Sequence, residues 1–203
     1  MLPNLKKNIN KILKQNIPEE RKDVLQVLID YIKKKYLENQ EIHLNFICTH
    51  NSRRSQFAQI WAHTAAAYYN IKVYCYSGGV EVTAFNERAV ASIRRSGFEI
   101  SSEGNYNPIY SVLYEKDLKN VLKCFSKLYD DPVNKIETFA AIMTCAHADQ
   151  NCPFIQGVEK RISIQYKDPK GFDDTPQEIK KYDERSLQIA SEFFYVFNKV
   201  TDK

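Results

Sequence analysis

The chain has 203 residues, 43% of them hydrophobic, which is ample for one buried core and excludes global disorder. Its 29 basic and 25 acidic residues leave a net charge of +4, too mild to argue for a nucleic-acid partner. No stretch reaches the roughly 18 consecutive apolar residues of a transmembrane helix, so no membrane partner is expected.

The N-terminal stretch MLPNLKKNINKILKQN alternates apolar and basic residues. It has no compact apolar centre followed by a small-residue cleavage site, so a signal peptide is not expected and the cytoplasm is the default location. Leu5, Ile9, Ile12 and Leu13 share one helical face over residues 4–15. Pro18, Glu19 and Glu20 suit a second helix start, and Val24, Leu25, Leu28, Ile32 and Tyr36 continue it to about residue 38. Residues 1–40 therefore read as a helical extension that docks on its own domain or on a second subunit. Residues 41–203 read as the main, catalytic domain.

In that domain, strands are expected at 43–48, 71–76, 138–144 and 161–166, and helices at 55–69, 86–96 and 177–199. Ser77, Gly78 and Gly79 read as a turn, and Gly97 as a helix stop. Two further strands, 109–114 and 121–129, read as an inserted β-hairpin. Strands alternating with helices predict an α/β fold of three layers: a mainly parallel sheet with helices on both faces.

The most informative segment is Cys48-Thr49-His50-Asn51-Ser52-Arg53-Arg54-Ser55. A cysteine ends a strand, five residues follow, then an arginine, then a hydroxyl residue opens a helix. A short loop in that setting turns its backbone N–H groups inward as a nest for an anion, and the helix N-terminus adds positive potential. The same field stabilises a thiolate, the useful nucleophile. Arg54 offers two parallel hydrogen bonds to an oxyanion, and Ser55 can donate to the sulfur. The pattern predicts Cys48 as nucleophile and residues 49–55, Arg54 above all, as the oxyanion cradle.

CTHNSRRSQFAQIW resembles the phosphate-binding loop of low-molecular-weight protein tyrosine phosphatases, and still more that of thioredoxin-coupled arsenate reductases, which share the fold. The resemblance runs on through YSGGVEVTAFNERAVASIRRSGFEI to the C-terminal helix and leaves out the extension before residue 40. It implies Thr49, His50, Asn51, Ser52, Arg53, Arg54 and Ser55 as oxyanion-binding positions, with Asn51, Ser52 and Ser55 also shaping the loop. His50 stands where the family usually has glycine. Arg53 stands where many members have a second loop cysteine, so a disulfide within the loop is ruled out.

Five cysteines, Cys48, Cys75, Cys124, Cys145 and Cys152, make an odd count that points to free thiols, catalysis or redox exchange. Cys75 and Cys124 read as packing residues. The Cys145–Cys152 spacing fits neither a zinc ribbon nor a thioredoxin-type pair, and neither a metal nor a cofactor is expected. If the segment is helical, the two cysteines lie about two turns apart, and a disulfide between them requires local unwinding. The segment resembles the redox segment of thioredoxin-coupled arsenate reductases. That resemblance implies a cascade: Cys48 attacks arsenate, Cys145 attacks Cys48 as arsenite leaves, Cys152 resolves the disulfide, and thioredoxin reduces it. His147 either tunes one of these cysteines or is a solvated side chain.

Thiolate attack expels a poor oxygen leaving group, so a carboxylic acid must supply a proton. Asp168, before Pro169 at a strand's end, is the expected acid, and it aligns with the family's Asp-Pro acid. Asp174 is the runner-up. The leading expectation is arsenate reduction coupled to thioredoxin. The alternative is phosphomonoester hydrolysis, which needs only Cys48, Arg54 and the acid. A third reading is a non-enzymatic anion-binding or redox-sensing module.

Overall fold

The computed structural model describes residues 1–134, 137–151 and 155–202. Its centre is a parallel sheet of four strands: β1 (His43–Cys48), β2 (Tyr74–Gly79), β6 (Phe139–Met143) and β7 (Val158–Ser163), in the order β2-β1-β6-β7. The two central strands are buried on both faces, and their sequences HLNFIC and FAAIM are correspondingly almost continuous apolar runs.

The two faces are covered unequally. Leu44, Phe46, Ala140 and Ile142 point into the main core. There they meet α1 (Pro3–Ile12), α2 (Glu19–Leu37), α3 (Arg54–Tyr68), α4 (Glu87–Arg95) and α6 (Glu178–Thr201). Helix α3 is buried around most of its circumference, as its run of Phe57, Ile60, Trp61, Ala65 and Ala66 requires. Trp61 Nε1 donates to Ser186 Oγ of α6 at 2.9 Å, and Phe46 meets Phe193 edge-on at 5.3 Å. On the other face Ile47, Ala141 and Met143 form a smaller cluster under the short helix α5 (Ala146–Asn151).

A second, antiparallel sheet joins β3 (Glu99–Glu103), β4 (Ile109–Leu113) and β5 (Leu122–Cys124) in that order. The two strands expected as a hairpin are thus β4 and β5, joined by β3 as a third. β3 is polar and almost wholly exposed, so it carries no apolar alternation to read. The second strand also ends at Cys124. Residues beyond it run alongside β2 instead: Gly79 N–H donates to Lys127 O at 2.8 Å and Tyr129 N–H to Gly79 O at 3.0 Å.

This corrects the reading of residues 77–79 as a turn, since they lie inside β2. Their glycines serve close approach. A Cβ on Gly78 would stand 2.1 Å from Tyr129 Cα, and one on Gly79 would stand 2.8 Å from Thr49 O and from Asn51 N. The N-terminal helices contribute Leu5, Ile9, Ile12, Leu25, Leu28 and Ile32 to the main core. Among the described residues no helix is long and apolar enough to cross a membrane.

Candidate active site

The sheet topology places one loop at the carboxyl end of a central strand. β1 ends at Cys48, residues 49–53 turn, and α3 begins at Arg54. The loop's carbonyls are turned outward onto the scaffold. Thr49 O accepts from the N–H groups of Val80 (2.8 Å) and Glu81 (2.9 Å). His50 O accepts from Ser126 Oγ at 2.8 Å, Asn51 O from Gln56 Nε2 at 3.0 Å, and Ser52 O from Asn86 N–H at 2.9 Å. In a planar trans peptide the N–H points opposite to the C=O, so the N–H groups of residues 50–53 face the loop's interior. Asn51 takes φ +47°, a conformation asparagine tolerates and one that helps fold such a nest. The residue at the N-cap of helix α3, Arg53, makes no side-chain hydrogen bond to the helix's first-turn N–H groups.

Cys48 is 3% exposed, and its sulfur lies 3.0 Å from Ser55 Oγ. The donor in that contact follows from the neighbours. Lys127 N–H donates to Asn51 Oδ1 at 3.2 Å, which fixes the amide's orientation. Asn51 Nδ2 then donates to Ser55 Oγ at 2.8 Å. With its oxygen engaged as acceptor, the Ser55 hydroxyl is free to aim its proton at the sulfur.

Arg54 is held at two points and open at a third. Its Nη1 donates to Tyr166 O at 3.3 Å and its Nη2 pairs with Asp168 Oδ2 at 2.7 Å. Its Nε is buried and has no hydrogen-bond partner among the described residues. A buried orphan donor is costly, and an oxyanion in the loop would satisfy it. Asp168 is therefore brought to the cradle's arginine, where its other oxygen accepts from Lys170 N–H at 3.0 Å and caps the short 3-10 helix Pro169–Phe172. Asp174, the runner-up acid, instead meets Arg88 on the surface.

Other loop side chains point away from the nest. Arg53 donates to Tyr182 Oη at 2.7 Å and to Asp173 Oδ2 at 3.2 Å, His50 pairs with Glu81 at 3.1 Å, and Ser52 Oγ donates to Ala84 O at 2.6 Å. What these residues offer the cradle is backbone, not side chain. A cleft of about 450 Å³ beside the loop is lined by His50, Ser52, Arg53, Asn86, Arg88 and Lys170, among others.

Cys145 lies two residues past β6 while Cys48 ends β1, and the pairing of Ile47 with Met143 brings the two strand ends together. Cys145 is 1% exposed and shares a cluster with Cys48. Its sulfur lies 3.5 Å from Thr49 Oγ1, which is also 3.3 Å from His147 Nδ1, and it accepts from Ala148 N–H at 3.4 Å. The segment after it is helical as far as Asn151. Cys152 lies outside the described residues. Cys75 and Cys124 are buried elsewhere, and burial pushes both thiols up, Cys124 to about 12. Scaffold residues such as Ser126, Lys127 and Tyr166 had no motif to announce them, because each acts through its backbone or across a long sequence gap.

The chain matches no family model. It is 27% identical to a protein named arsenate reductase 2 from Staphylococcus epidermidis, over 62% of this chain and 77% of that one. It is 29% identical to an arsenate reductase from Staphylococcus aureus, again over 62% and 77%. Among solved structures it is similar to a low-molecular-weight protein tyrosine phosphatase from T. tengcongensis, with a TM-score of 0.52, covering 78% of this chain and 97% of that one at 13% identity. The chain has the low-molecular-weight phosphatase fold. Its sequence relatives carry the name arsenate reductase. Loop geometry and relatives together make it a cysteine-dependent enzyme acting on an oxyanion.

Proposed function

We propose that the chain reduces arsenate to arsenite through its own thiols, with Cys48 as nucleophile, Arg54 and the inward N–H groups as cradle, and Asp168 as acid. The observation that carries this reading is the second thiol: Cys145 sits against Thr49 of the very loop that Cys48 opens. Hydrolysis of a phosphate ester has no use for it.

The Cys48 thiolate attacks arsenic(V), and an arsenate oxygen leaves as water with a proton from Asp168. The Cys145 thiolate then attacks the Cys48 sulfur. The S–S bond forms, the S–As bond breaks, and its electron pair stays on arsenic, which departs as arsenite. Cys152 attacks Cys145 in turn, frees Cys48 and leaves a Cys145–Cys152 disulfide. A dithiol protein of the thioredoxin class reduces that bond, which suits a reducing compartment such as the cytoplasm.

Phosphomonoester hydrolysis through a Cys48 phosphocysteine is the second reading. It is favoured by the Arg54–Asp168 pair, which brings an acid to the cradle without any redox partner. Both are tested on one preparation by arsenate turnover with thioredoxin, thioredoxin reductase and a nicotinamide donor, beside para-nitrophenyl phosphate hydrolysis. Arsenate turnover that vanishes in Cys48→Ser and in Cys152→Ser supports reduction. Ester hydrolysis with no arsenate turnover assigns the chain to the second reading.

A further inference from the structure

The N-terminal extension reaches the active site through one buried charge. Glu192 of α6 is 1% exposed, which demands a partner for its carboxylate. Arg21, in the first turn of α2, supplies it with two parallel bonds, Nε to Oε1 at 2.8 Å and Nη2 to Oε2 at 2.7 Å. Gln188 Nε2 donates to Oε1 at 2.9 Å, and Tyr166 Oη donates to Oε2 at 2.8 Å. Arg21 also touches the Tyr166 segment directly. Its Nη1 donates to Gln165 O at 3.3 Å, and its guanidinium lies 5.1 Å from the Tyr166 ring centroid.

Tyr166 is the residue through which this grip acts. Its N–H donates to Thr144 O, next to Cys145, at 3.1 Å, and its carbonyl accepts from Arg54 Nη1. Asp168 follows two residues later. One side chain, clamped by Arg21 and Glu192, thus stands behind the backbone that orients Arg54.

We propose that Arg21 is a positioning residue for Arg54: by fixing Glu192 and Tyr166 it holds the carbonyl that aims the oxyanion-binding guanidinium. The extension is on this account a working part of the active site. An apolar contact of similar size would hold the helix at least as well, because burying a charge pair costs desolvation. What the pair adds is direction, since a two-pronged arginine–carboxylate contact fixes both planes.

The inference rests on the reading of Arg54 as the oxyanion's ligand, and the test separates the two. The full chain is alkylated at Cys48 with iodoacetamide in rising concentrations of inorganic phosphate, and the half-protecting concentration is recorded. Wild type is compared with Arg21→Lys, which keeps the charge but loses the fork. It is also compared with Tyr166→Phe, which cuts the same link by one hydroxyl and no charge, and with Arg54→Ala. Circular dichroism confirms that each is folded at the assay temperature. Misaiming a ligand by a fraction of an ångström to one ångström costs roughly ten- to a hundredfold. We expect the half-protecting concentration to rise about tenfold in Arg21→Lys and severalfold in Tyr166→Phe, with the alkylation rate in the absence of phosphate unchanged. Values within twofold of wild type in folded Arg21→Lys and Tyr166→Phe, with Arg54→Ala shifted, overturn the positioning role alone. No protection of wild type, or protection untouched by Arg54→Ala, overturns the reading of the cradle and this inference with it.

Discussion

Replacing Asp168 by asparagine should tighten anion binding while it slows chemistry. In the unliganded site Arg54 Nη2 is paired with Asp168 Oδ2 at 2.7 Å, with the two side chains 15% and 33% exposed. An entering oxyanion must share that guanidinium with a carboxylate of its own sign. Exposed ion pairs contribute about 0.2–1 kcal/mol, and breaking fully buried ones costs about 3–5 kcal/mol. A pair one-third open on the acid's side belongs near the lower range, so about 1 kcal/mol of competition is removed, or roughly fivefold in affinity. Asparagine keeps the acceptor that caps Lys170 N–H, so the 3-10 turn should survive. Without a proton to give, ester hydrolysis should fall by about 10²–10⁴. The assay is para-nitrophenyl phosphate hydrolysis with inorganic phosphate as competitive inhibitor, which yields kcat and the inhibition constant together. Phosphate that inhibits Asp168→Asn no better than wild type would refute the competition at Arg54. An unchanged kcat would move the acid's role to another group.

Cys145→Ser should abolish multiple-turnover arsenate reduction and leave para-nitrophenyl phosphate hydrolysis within about twofold, since the serine keeps the contact with Thr49 but cannot form a disulfide. Gly79→Ala should remove both activities and cost about 1–3 kcal/mol in denaturant unfolding, because the new methyl would stand 2.8 Å from Thr49 O and Asn51 N. Burial holds the His63 imidazole below its ordinary value of 6.5, with Glu115 opposing in part. The unfolded chain therefore binds the extra proton first, and the stability this histidine contributes is complete above about 6.5 and is lost as the pH falls toward its folded value. His63→Phe, which preserves a ring beside Tyr114, should flatten the unfolding midpoint between about pH 7 and pH 5 relative to wild type. In the native chain at pH 8, Cys75 and Cys124 should stay unmodified by iodoacetamide, as peptide mass spectrometry would show, because burial keeps both as neutral thiols.

The legible parts of this chain are those whose cause is local. β1 reads from HLNFIC because a strand buried on both faces is almost continuously apolar, and the loop reads because a cysteine, an arginine and a serine stand at fixed offsets between a strand and a helix. Residues 77–79 misled because two adjacent glycines usually mean a turn. Here they answer to Tyr129 and to the Thr49–Asn51 loop, partners far off in sequence. β3 was invisible because its side chains face water and its only signal is pairing with β4. Arg21 lies in a charged helix turn, where an arginine ordinarily reads as solvated. Its carboxylate partner is 171 positions away, and nothing short of the fold joins them. The same holds for the side chains of His50 and Arg53, which sequence position assigns to the anion and the structure turns toward Glu81 and toward Asp173 and Tyr182.

Whether such a site reduces or hydrolyses is decided after the covalent adduct forms, by whether a thiol attacks the Cys48 sulfur or water attacks the atom bound to it. Water comes from solution and needs a base, whereas Cys145 lies in the same buried cluster as Cys48. Well-oriented intramolecular groups reach effective concentrations on the order of 10⁵ M or more, far above that of water. That advantage is realised only if the sulfur attacks as thiolate. Two contacts hold that sulfur in place: Ala148 N–H donates to it, and Thr49 Oγ1 links it to His147 Nδ1. Burial at 1% exposure also keeps competing water from that side of Cys48. A phosphate adduct has no second oxidation state within reach of a thiol, so the same adduct geometry leaves it to hydrolysis. The cradle therefore need not discriminate between two anions of like shape and charge. Discrimination falls to the thiol behind it, and Cys145→Ser should remove any arsenate turnover while leaving ester hydrolysis and the loop as they are.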